Sequence, residues 1–148
     1  MRGSGFVMAA LFAIAGAAAL QADLKKALAE PDLEKRSKLA MDNAAAAYQT
    51  ARDAYQKGEM EQAQAAIEEI EQSVDLAYQS LTDTGKNPRR SPKWFKSAEL
   101  ATRDLARRIA SFQDQMSYTD RALLDKVKAR VQQVHDELLL GLMEGKKK

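Results

Sequence analysis

Helix breakers are rare in this chain and fall at few points. Beyond residue 22 the prolines are Pro31, Pro88 and Pro92, and the glycines are Gly58, Gly85, Gly141 and Gly145. Proline removes a helical donor and clashes with the preceding turn, and glycine adds entropy cost. The long stretches between these points are therefore free to be helical. They are filled with Ala, Leu, Gln, Glu, Lys and Arg, all good helix formers. No run of alternating β-branched residues argues for a strand. The expected fold class is all-α.

Apolar spacing divides the chain into four helices. The first starts near Pro31-Asp32 and runs to Lys57, with proline and acid suited to its first turn. Leu33, Ser37, Ala40, Ala44, Ala47, Ala51 and Ala54 alternate at spacings of four and three, a seam made almost wholly of alanine. Met41, Tyr48 and Tyr55 lie beside it. Gly58 suits a left-handed cap. The second helix, from about Met60 to Leu81, repeats the alternation with Ala63, Ile67, Ile70, Val74, Ala77 and Leu81. Its large side chains match the small ones of the first helix.

The stretch 82–92 holds two prolines and a glycine and is expected to be a linker. Phe95, Ala98, Ala101, Leu105, Ile109, Phe112 and Met116 mark a third helix. Ser117 to Asp120 reads as a break with a variant capping box, Asp standing where Glu or Gln is usual. Leu124, Val127, Val131, Val134 and Leu138 mark a fourth helix ending near Met143, followed by a frayed basic end at Gly145–Lys148. The expected architecture is an antiparallel four-helix bundle made of two helical hairpins, about 32–81 and 93–143.

Residues 1–22 have a different character. One positive charge at Arg2 precedes an apolar run from Phe6 to Leu20, and small residues lead to Ala22. That is the layout of a secretory signal peptide, with cleavage expected after Ala22 and Ala19 as a second choice. The run is short for a membrane span, which needs ~20 apolar residues. A retained N-terminal anchor is the alternative. The chain is then exported, periplasmic or extracellular. Its mature part, 23–148, is one domain without a membrane span.

Ala51, Ala54, Gly58, Met60, Ala63 and Ile67 are spaced as in part of a tetratricopeptide repeat. The stretch resembles one over about 20 residues. Tyr55 falls one place late for the repeat's large aromatic, and no second copy follows at a period of ~34 residues. The resemblance implies hairpin geometry rather than membership.

The chain has no cysteine and a single histidine, His135. Disulfides, thiolate zinc sites, iron–sulfur clusters and c-type haem are excluded. No serine has a nucleophile context, so no enzyme activity is expected. Glu68, Glu69, Glu71 and Asp75 lack the Glu-x-x-His pairs of a di-iron bundle and read as a solvated face; no metal or cofactor is expected. One alternative is a b-type haem-binding periplasmic bundle using His135 with Met41 or Met143.

Charge is divided between the halves. Residues 23–85 carry 13 acidic and 7 basic side chains, and residues 86–148 carry 8 acidic and 15 basic. One reading is mutual attraction of the hairpins; the other is a positive surface for an anionic partner. The segment 86–108 is the sharpest part of this signal. Lys86, Arg89, Arg90, Lys93, Trp94, Lys96, Arg107 and Arg108 form the candidate anionic-ligand site, with Arg103 between them. Trp94 and Phe95 alternatively staple the helix start into the core. The expected function is an exported, non-enzymatic helical binding or structural module. Its partner is a protein or an anionic envelope component, and nucleic acid is not expected.

Overall fold

The computed structural model describes residues 24–145. The proposed signal peptide and the lysines at 146–148 lie outside the described residues, which contain no strand. Four long helices account for most of them: α1 (Leu33–Gln56), α2 (Met60–Asp83), α3 (Pro92–Gln115) and α4 (Asp125–Glu144). Residues 24–29 are also helical, with Ala27 fully buried.

Local chemistry sets the ends. Asp32 caps α1, its carboxylate accepting from the amides of Glu34 and Lys35 at 3.0 and 3.1 Å. An aspartate there satisfies two orphan donors and complements the helix dipole. At the other end Gly58 takes φ +75°. The Glu59 amide then reaches the Ala54 carbonyl at 2.9 Å, and the Gly58 amide the Tyr55 carbonyl at 3.0 Å. This pair of bonds is a Schellman motif, and the left-handed turn it requires suits glycine. Three residues, 57–59, turn the chain back on itself.

The alanine seam is buried as the spacing predicts, with Ala40, Ala44, Ala47, Ala51 and Ala54 all in the interior. So are Ala63, Ile67, Ile70, Val74, Ala77 and Leu81 of α2. Small side chains on one helix allow the other to come close, and α1 with α2 is the most extensive backbone contact in the fold. Met41, Tyr48 and Tyr55 form a second stripe on α1, directed at α3. Tyr48 donates to the Arg108 carbonyl at 3.1 Å. Both tyrosine rings meet Phe112 edge-on, at centroid separations of 6.1 and 5.6 Å.

The second pairing is α3 with α4, through Phe95, Leu105, Ile109, Phe112 and Val127, Val131, Val134, Leu138. Contacts between the hairpins rise together in sequence number. On one side Tyr48 meets Arg108 and Tyr55 meets Asp120. On the other Glu71 meets Lys126 and Asp75 meets Arg130. The helices facing each other across the hairpins, α1 with α3 and α2 with α4, therefore run in the same direction.

Two expectations are corrected. The fourth helix does not start at the Ser117–Asp120 break: Tyr118–Leu124 is a 3₁₀ helix, and α-helix begins at Asp125. Ser117 makes no capping bond to the backbone, because its hydroxyl donates instead to the Asp120 carboxylate at 2.7 Å. Glu69, expected on a solvated face, is buried and accepts from Asn43 at 3.2 Å, beside a 2.8 Å bond from the same amide to Ser73. Glu69 shares the buried side of α2 with Ala66, Ile70 and Ser73.

Candidate functional site

The linker between α2 and α3 is built around Asn87. Its carboxamide oxygen accepts from the Arg89 amide at 2.9 Å, and its carbonyl from the amides of Arg90 and Ser91 at 3.1 and 2.9 Å. Pro88 is buried beneath this turn, so Arg89 and Arg90 project from it into solvent. Pro92 then opens α3 at the position where its missing donor costs nothing.

The candidate residues separate into three groups. Lys86 crosses the bundle to pair with Glu34 on α1. Trp94 is half-buried against the core, around a small cleft with Ser37, Met41 and Ala98, and Lys93 lies 5.0 Å over its ring. Phe95 is buried, so the helix start is stapled as one reading predicts. Arg89, Arg90 and Lys96 are exposed and form no ion pair among the described residues. Arg107 and Arg108 are also exposed, sharing Asp104 on their own helix at 3.6 and 2.8 Å.

Attraction between the hairpins comes mainly from elsewhere. Apart from Lys86, the cross-hairpin ion pairs among the described residues belong to α4: Lys126 with Glu71 at 3.5 Å and Arg130 with Asp75 at 2.5 Å. The hydrogen bond to Asp75 holds the Arg130 guanidinium above its ordinary pKa. These basic residues lie outside the dense segment 86–108, and only their helical spacing from the buried valines could have singled them out.

On the outer side of hairpin two, α3 and α4 leave a groove of about 630 Å³. Ala106, Ala110 and Ala129 form its floor, and Arg103, Arg107 and Lys128 stand around it with one acid, Asp125. Lys93, Lys96, Arg103 and Arg107 follow one another at spacings of three, seven and four residues, whole helical turns that place them on one side of α3. The arginines were legible in the sequence, but Lys128 and Ala129, which α4 supplies, and the pairing of Ala129 with Ala106 and Ala110 of α3 were not.

His135 closes one end of this groove. Its Nε2 lies 3.0 Å from the buried Glu99 carboxylate, and its Nδ1 lies 3.2 Å from Asp136. Arg103 also pairs with Glu99. Hydrogen bonds from Gln132 and then His135 hold the Asp136 carboxyl below the usual range. The haem pairing is not assembled in this geometry. Met143 stands two turns further along His135's own helix, and Met41 is buried beside α3. No cluster of three metal-ligating side chains occurs among the described residues, and no described helix is long and apolar enough to cross a membrane. No protein-family model and no curated protein matches the chain, so function has to be read from these residues themselves.

Proposed function

We propose that this chain is an exported, non-enzymatic binding module: a bundle of two antiparallel hairpins behind a signal peptide cleaved after Ala22. It takes an anionic partner on the outer, cationic face of hairpin two. The observation that carries this reading is the division of labour among the basic residues. Lys126 and Arg130 face the acidic hairpin. Arg107 stands in solvent beside the groove, and Arg89, Arg90 and Lys96 stand in solvent on the linker and the start of α3. Concentrated exposed charge of one sign raises the local concentration of opposite charge and accelerates its capture.

Replacing Arg89, Arg90, Arg107 and Arg108 together with Gln tests it. Exposed pairs contribute at most ~1 kcal/mol each, so the fold should survive. Retention on anionic liposomes and on acidic polysaccharide should fall in the variant. In the parent it should fall near 1 M salt, where the Debye length is ~3 Å. A parent retained on neither at low salt overturns the reading. N-terminal sequencing of exported protein should begin at Asp23, and an intact residue 1 would favour an anchor.

A further inference from the structure

We infer that the anionic partner is a lipid surface, and that the outer face of hairpin two lies on it. This rests on the anionic-partner reading above and narrows it. The added observation is apolar. Leu100, Leu139, Leu140 and Met143 are 48, 36, 41 and 67% exposed. All four belong to hairpin two, in the half of it where α3 begins and α4 ends.

The packing of that end brings them among the cations. A side chain at Gly141 would stand 3.2 Å from the Pro88 ring, and one at Gly145 would stand 3.2 Å from the Arg89 side chain. The last turns of α4 therefore abut the linker that carries Arg89 and Arg90. The contact between Glu99 and His135 sets the antiparallel register of α3 against α4. One helical turn beyond it, Leu139 comes alongside the stretch of α3 holding Lys96 and Leu100. Leu100 sits on the same side of its helix as Lys93, Lys96, Arg103 and Arg107.

A soluble polyanion would use the cations and leave these leucines and the methionine in water. A lipid surface uses both, with phosphates meeting the Lys and Arg heads and the apolar side chains entering the headgroup–acyl boundary. No described helix is long and apolar enough to cross a membrane, and the inferred contact is made by side chains at the surface. Arg and Lys stems also cover apolar surface while keeping their charge at headgroup level.

The test is co-sedimentation of the mature chain, residues 23–148, with vesicles of equimolar phosphatidylglycerol and phosphatidylcholine, against phosphatidylcholine alone, with a heparin column as the polysaccharide arm. The parent should sediment with the anionic vesicles at low salt and not with the neutral ones. Leu100→Ser with Met143→Ser should weaken that partition about tenfold while heparin retention stays unchanged. Met143→Ser alone removes the most exposed of the four, imposes no cost on the core, and should weaken it in the same direction. Heparin retention without vesicle binding overturns the lipid inference and leaves the anionic-partner reading standing. So does vesicle binding that the serine variants do not change. Equal binding to neutral vesicles overturns the inference too. No retention on either probe overturns both.

Discussion

The Tyr55 hydroxyl donates to the Asp120 carboxylate at 3.0 Å across 65 residues of sequence. The same oxygen accepts from the Ser117 amide at 3.0 Å. One phenol on the first hairpin thus holds the start of the connection between α3 and α4 at two points, and its ring packs edge-on against Phe112. Tyr55→Phe keeps the ring and removes both bonds. Loss of a hydrogen bond of this kind costs ~1 kcal/mol. Denaturant unfolding should show that loss, and amide exchange at 117–124 should accelerate more than elsewhere. Unchanged exchange there would mean that the 3₁₀ turn holds itself.

Ala47 lies fully buried in the seam between α1 and α2. Ala47→Leu adds volume where two backbones approach closely, and overpacking of this kind costs ~1–3 kcal/mol. The midpoint of thermal unfolding should drop. A variant that melts with the parent would show that the seam has room the packing denies it.

Asp75 and Arg130 join α2 to α4 at 2.5 Å, with both side chains partly in solvent. Arg130→Gln should therefore lower stability by less than ~1 kcal/mol, and the difference from the parent should shrink in high salt. Arg107→Gln, whose partner Asp104 is on its own helix, should cost less still. If Arg107→Gln costs more than Arg130→Gln in the same buffer, the assignment of structural and free cations is reversed.

Tyr78 has its pKa raised to about 12, first by burial and then by its hydrogen bond to Glu137 and that group's charge. The unfolded chain ionises tyrosine near ~10. The neutral phenol therefore contributes stability that is fully present below pH ~10 and is lost as pH rises through about 12. The stability advantage of the parent over Tyr78→Phe should shrink across that window. A difference that stays flat from neutral pH to the alkaline limit would show that Tyr78 titrates normally.

What the sequence determined by itself is the set of helices and most of their buried faces. Four–three spacing of apolar residues is a local property of a helix surface, so the seam from Ala40 to Ala54 and the stripe from Val127 to Leu138 could be read without a partner in view. Gly58 and Pro92 likewise mark ends through their own backbone geometry. Tertiary structure alone decided the rest. Whether Glu69 faces water depends on Asn43 and Ser73, the latter contributed by its own helix and the former by another. Where α4 begins depends on Tyr55, which occupies Ser117 and Asp120. Which cations bind the acidic hairpin and which remain in solvent depends on the register of α4 against α2. A charged side chain carries the same sign in every environment, and only the geometry of its neighbours turns that sign into an ion pair or an open surface.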